Sequence, residues 1–303
     1  MNPGPTRRQW GAFWALLGLT FISTTLAGLF YALGGPGPFS LLRLVLSRPR
    51  ILLLGLPFSL SLLAILLAHE FGHFLACRHY RMRATPPWFL PAPFPLTGTL
   101  GAFIRIQSPF RGLRALFDIG IAGPLAGFAV TLPVLAVGIR LSTLVPKGAL
   151  EGGGLSFGEP LLFRLAGMLL VGYAPAHQDL LAHPMAMAAW IGLLATSLNL
   201  LPVWQLDGGH IAYAILGRKR QQNLSIVALV ALMGLSLLGW PTPSYLLFAA
   251  MLLVVGIRVR FYHPATLDDG EPLGAARRWL ALAALAILAL SFTPVPIRFD
   301  DGW

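Results

Sequence analysis

Charged side chains are scarce in this chain, with Asp, Glu, Lys and Arg at 11% of 303 residues, against about 25% in an ordinary soluble domain. Hydrophobic residues make up 56%. A chain so balanced cannot cover a water-facing surface, which excludes a soluble globular domain and leaves an integral membrane protein. Cysteine occurs once, at Cys77, so an intrachain disulfide and a multi-cysteine metal site are excluded, and any metal must be held by histidine and carboxylate. Acidic residues number 11 against 22 basic ones. The excess forms no single patch or stripe, so nucleic acid is not an expected partner. Its short clusters between apolar runs read as topology signals. No inverted repeat of the transporter kind is evident.

What the chain does have is apolar runs of about the 20 residues that cross a hydrocarbon core. They lie near 10–33, 51–76, 115–139, 183–202, 224–240, 243–257 and 278–293, with Pro241 and Pro243 making 224–257 either two short spans or one broken pair. The expected fold is an all-α polytopic membrane protein with six to seven transmembrane helices. Arg7 and Arg8 precede the first run, which is longer than the 7–15-residue core of a signal peptide and reads as a span. With seven spans and the N-terminus inside, fifteen of the 22 basic residues face the cytoplasm, as the positive-inside rule asks. The expected location is a prokaryotic inner membrane with a cytoplasmic N-terminus. The weaker apolar stretch at 160–173 suits the interface.

Residues 86–109, "PPWFLPAPFPLTGTLGAFIRIQSP", separate the second and third spans. The prolines forbid a regular helix, while "TLGAFIRIQ" is β-prone and too short to span. A short re-entrant β-hairpin, buried against protein or water, is expected there.

The stretch "LLAHEFGHFLA", residues 66–76, places three ionisable groups inside the second span. On a helix His69 and His73 project from one face a turn apart, with Glu70 beside them. Two imidazoles so spaced form a zinc clamp, and the glutamate can take a proton from water that the metal activates. Such groups are costly in hydrocarbon and mark function there; the competing reading is polar side chains joining helices. Zinc hydrolases use a third protein ligand. His79 has the spacing of the soluble HExxHxxGxxH pattern, but Ala76 replaces the turning glycine, so the helix continues and carries His79 roughly 15 Å past His69. Asp207, in "SLNLLPVWQLDGGHIAYAILG" at the cytoplasmic end of the fourth span, is the better candidate, with an N-cap role as the alternative. His210 follows it as a bystander.

These blocks make the chain resemble the site-2 protease family of intramembrane zinc metalloproteases. "HEFGH" is similar to the family's zinc-binding helix, "NLLPVWQLDGG" to its Asn-x-x-Pro-x-x-x-Leu-Asp-Gly-Gly motif, and "FDIGIAGPLAGF" to its third core helix, in the expected order. The resemblance implies one Zn2+ per chain on His69, His73 and Asp207. It also implies Glu70 as general base and acid, and Asn199 as a group that positions substrate or stabilises the oxyanion. The segment "GTLGAFIRI", with Gly98, Gly101, Ala102, Phe103 and Ile104, resembles the β segment that accepts an unwound substrate as an added strand, consistent with pairing at a sheet edge. The roughly 40 residues between spans three and four are too few for a PDZ domain.

The expected organisation is an N-terminal helix and outer loop over 1–50, the zinc core over 51–217 and C-terminal helices over 218–303. The expected activity is cleavage of transmembrane protein substrates near the cytoplasmic face, with the lipid bilayer as the other partner. A zinc transporter or a non-proteolytic membrane binding protein is the alternative, and Glu70 discriminates, since a transporter needs ligands and a path but no general base.

Overall fold

A computed structural model describes residues 4–35, 37–92, 96–149, 154–238, 244–258, 263–270 and 272–300; Pro241 and Pro243 lie outside them. Helix α1 (Arg7–Ala32) opens on a capping box, Thr6 Oγ1 accepting from the Gln9 N–H and Gln9 Oε1 from the Thr6 N–H. Helix α2 (Pro38–Ser47) and a 3-10 turn (Pro49–Gly55) lead into α3 (Leu56–His79). All three start with proline in the first turn, where its missing N–H costs nothing. Then come α4 (Leu113–Arg140), α5 (Leu161–Val171), α6 (Pro184–Asn199), α7 (Asp207–Leu216), α8 (Arg218–Leu238), α9 (Leu246–Arg258) and α10 (Gly274–Ser291).

Among the described residues, five segments are long and apolar enough to cross a membrane: α1, Pro49–His79, α4, α8 and α10. Two helices that the expected six to seven spans include, α6 and α9, fall short of that length. Pro184 starts α6 and the chain leaves the helix at Asn199, so α6 has 16 residues, and α9 has 13. The core is nonetheless built around α6. Ala186, Ala188, Ala189 and Leu193 have no exposed surface and pack with Phe58 and Leu62 of α3 and Leu135 and Ile139 of α4. Small residues let the backbones meet: a Cβ at Gly138 would lie 2.4 Å from the Ala186 nitrogen.

The hairpin between α3 and α4 is present. Strand β1 (Trp88–Pro91) pairs antiparallel with β2 (Thr99–Phe103), with a bulge between Phe89 and Pro91. It lies along α1: Phe89 is buried against Phe13, Ser23 Oγ donates to the Gly98 carbonyl at 2.6 Å, and the Tyr31 hydroxyl donates to Leu96 O at 2.7 Å.

Two further ribbons correct the all-α expectation. Strand β3 (Thr143–Pro146) pairs with β5 (Gln178–Leu181), and β4 (Gly154–Phe157) with β6 (Ile297–Asp300), both antiparallel. The second pairing brings the segments after α4 and α10 to one end of the bundle. At the other end the starts of α4 and α10 are joined: Arg277 grips Asp118 through Nε and Nη2 at 2.8 and 2.7 Å, while the Tyr80 hydroxyl donates to the same carboxylate.

Candidate metal centre

Helix α3 carries His69, Glu70 and His73 on its core side, 6%, 5% and 7% exposed. Facing them is α4, whose glycines make the room. A Cβ at Gly123 would fall 2.0 Å from His73 Nε2, and one at Gly127 would fall 3.1 Å from the His69 Cβ. The Ile119 carbonyl of α4 lies 2.7 Å from His73 Nδ1. A carbonyl can only accept, so Nδ1 carries the proton and Nε2 turns its lone pair into the site.

The third arm arrives from α7. After Asn199 the chain turns sharply and is pinned by α8, where Ser225 Oγ donates to Pro202 O at 2.7 Å and accepts the Trp204 N–H at 3.1 Å. Gly208 and Gly209 let α7 fold back on this turn, since a Cβ at either would strike the Leu200 or Trp204 carbonyl at 2.0 or 2.3 Å. Leu206 is the N-cap of α7, with no side-chain cap bond. Asp207 is therefore free of the capping role left open by its sequence position.

His69 Nε2 and His73 Nε2 are 3.1 Å apart; His69 Nε2 lies 3.2 Å from Asp207 Oδ2 and His73 Nε2 lies 3.3 Å from Asp207 Oδ1. Tetrahedral zinc with bonds of about 2.0–2.1 Å sets its ligand atoms about 3.3–3.4 Å apart. The donor set therefore fits zinc in kind and in spacing. Among the described residues it is the one group of three histidine, cysteine or acidic side chains so disposed.

Asn199, at the end of α6, places Nδ2 3.3 Å from His69 Nε2. The backbone N–H of Ile104, just past β2, faces the Glu70 carboxyl, so the hairpin reaches the centre at its second strand. Ala102 and Phe103 stand opposite Phe89 and Trp88 in that ladder, and Gly101 adopts a φ of +102°. Gly98 packs elsewhere, against the α1 backbone at Ser23 and Thr24. His79 is exposed at the end of α3, with its ring against Tyr80.

Three other carboxylates among the described residues are engaged elsewhere. Asp118 holds Arg277; Glu159 accepts from Arg164 and Tyr173; Asp179 pairs with Lys147, whose ammonium draws that carboxyl below its ordinary pKa. Sequence reasoning missed the Ile119 carbonyl and the glycine bed. The signal for the latter stood in "GIAGPLAG", whose glycines at 120, 123 and 127 recur at helical spacing.

The family model described as Peptidase family M50 matches residues 57–239. The chain is 34% identical over 244 residues to "Probable zinc metalloprotease EGY1, chloroplastic" of Oryza sativa subsp. japonica, covering 79% of this chain and 41% of that protein. It is 34% identical over 244 residues to the protein of the same name from Arabidopsis thaliana, with 79% and 43% covered. To "Probable zinc metalloprotease EGY2, chloroplastic" of Arabidopsis thaliana it is 29% identical over 248 residues, with 82% and 43% covered. The chain thus spans about two fifths of the length of these curated relatives.

Proposed function

The chain belongs to peptidase family M50, and on that premise we propose that it is an intramembrane zinc endopeptidase that cuts transmembrane segments of other proteins near the cytoplasmic face. The observation that carries this reading is the convergence of His69, His73 and Asp207 at zinc-ligand spacing beside the buried Glu70. Those three residues would hold the ion. When bound, zinc supplies a Lewis acid for the scissile carbonyl and lowers the pKa of water towards about 7. Glu70 takes the proton from the attacking water and passes it to the leaving amine, and the Ile104 N–H orients its carboxyl. Asn199, beside His69, has an amide suited to holding the substrate carbonyl or the developing oxyanion.

An extended substrate segment exposes N–H and C=O groups that are costly in hydrocarbon unless paired. Strand β2 belongs to a ribbon of two strands and ends beside Glu70; we assign Gly101, Ala102, Phe103 and Ile104 to the surface that supplies this pairing, and leave out Gly98, whose carbonyl is taken by Ser23 and Ala92. The hairpin is read as re-entrant because it follows α1 from Phe13 to Tyr31. Seven crossings account for the β4–β6 pairing, since α6, α8, α9 and α10 together then return the chain to the side on which α4 ends. The basic residues support an N-terminus on the cytoplasmic (or equivalent inner) side of the membrane.

The test is a pair of variants. Glu70→Gln should keep zinc and lose cleavage of a membrane-embedded substrate; Asp207→Ala should lose zinc. Full proteolysis by Glu70→Gln would overturn the mechanism, and undiminished zinc in Asp207→Ala would remove Asp207 from the ligands.

A further inference from the structure

The segment after α9 returns to the metal centre. His263 is 1% exposed, and its Nδ1 lies 2.6 Å from the Pro264 carbonyl, so Nδ1 donates and Nε2 is left as an acceptor. His210 Nδ1 lies 2.6 Å from that Nε2 and donates to it. His263, donating through one nitrogen and accepting through the other, is neutral in this chain of bonds, and burial holds it below the usual histidine pKa. His210 stands three residues after Asp207 on α7. Its Cβ rests on Gly120 of α4, where a Cβ would approach it to 2.7 Å and the Asp207 carbonyl to 3.3 Å. His210 is therefore the α7 side chain that rests on α4 beside Asp207, next to the apolar packing of Ile211, Tyr213 and Ala214 in the cluster of Leu116, Phe117 and Ile121.

The segment carrying His263 is itself tied down. Leu267 N–H donates to Phe110 O at 2.9 Å, Tyr213 Oη donates to Asp269 at 3.1 Å, and Arg114 Nε donates to Pro272 O at 3.0 Å. The Tyr213 ring lies 4.6 Å from His263 and the Phe110 ring 5.3 Å from His210. An imidazole pair enclosed by aromatic rings has few other polar partners, so each ring fixes the rotation of the other. Resting on the zinc reading above, we propose that His263 is a positioning residue for the metal centre: it locks His210, and with it the first turn of α7, so that Asp207 meets His69 and His73. His263 lies beyond the 57–239 family match. The segment between α9 and α10 then helps to build the centre.

The full chain in detergent, stripped of metal and titrated with Co2+, tests this by affinity and by the cobalt d–d absorption, neither of which requires turnover. His263→Phe keeps the ring stacking but removes the acceptor; His263→Gln offers a carboxamide oxygen in place of Nε2. The expected result is about tenfold weaker cobalt binding with an altered spectrum in His263→Phe, the low end of the range for removing an outer hydrogen bond, and near-wild-type behaviour in His263→Gln. Wild-type affinity and spectrum in His263→Phe would overturn the proposal. So would equal weakening in both variants with a parallel fall in melting temperature, which would assign the pair to packing alone. Asp207→Ala separates the two readings. If it loses cobalt while His263→Phe does not, only the positioning role fails; if wild type itself binds none, the zinc reading fails and this one with it.

Discussion

Gly123→Ala adds one methyl group to α4 and is expected to abolish metal binding while leaving the helix at least as stable. Alanine is favoured over glycine in a helix interior by about 1 kcal/mol, so helix propensity works against any loss. The new Cβ would lie 2.0 Å from His73 Nε2 and 2.5 Å from both Cδ2 and Cε1, which puts it over the ring face. Ordinary van der Waals contact begins near 3.4 Å, so the ring or the helix must yield by roughly 1.4 Å, well past the ~0.5 Å within which a site keeps its geometry. Tilting the ring away would break the 2.7 Å bond from Nδ1 to Ile119, and losing the hydrogen bond behind a ligand histidine alone costs about 10–100-fold in metal affinity. Gly127→Ala is the control, because its Cβ would meet the His69 Cβ at 3.1 Å and a shift of a few tenths of an ångström relieves it. Zinc content by elemental analysis and cobalt affinity by titration, on folded protein, measure the difference. Equal zinc in Gly123→Ala, Gly127→Ala and wild type would refute the packing argument and with it the orientation assigned to His73.

Two other outcomes follow from particular contacts. Ile104→Pro removes the N–H that faces Glu70, and with Phe103→Pro it disturbs the strand expected to pair with substrate; both should lower turnover of a membrane-embedded substrate at normal zinc content, and wild-type turnover by both would leave the segment as a loop. Asp179 has its pKa lowered by Lys147, so the pair stabilises the β3–β5 ribbon above the unfolded carboxylate pKa near 3.9 and loses that contribution as pH falls through the lower folded value. Lys147 is 53% exposed, which limits the effect to about 1 kcal/mol or less. Asp179→Asn should therefore melt slightly below wild type at neutral pH and together with it at strongly acid pH; a gap that persists there would refute the assignment.

The parts of this protein legible in its sequence are those governed by short-range rules. An apolar run must cross the bilayer as a helix because its backbone has no other partner there, and two histidines four residues apart on that helix share a face whatever surrounds them. Asp207 could be singled out as a carboxylate at the expected cytoplasmic end of the fourth span once Ala76 had ruled out His79, and the prolines and β-prone run at 86–109 were enough to predict the β1–β2 hairpin. Tertiary structure decided what depends on distant partners. The β3–β5 and β4–β6 ribbons are four-residue strands joining remote segments, and so short a strand leaves no periodic trace of its partner. The seating of His73 rests on the Ile119 carbonyl and the bare face of Gly123, and the His210–His263 bond spans 53 residues. Those contacts depend on distances of a few ångströms between helices, set by packing over the whole bundle rather than by any one stretch of chain.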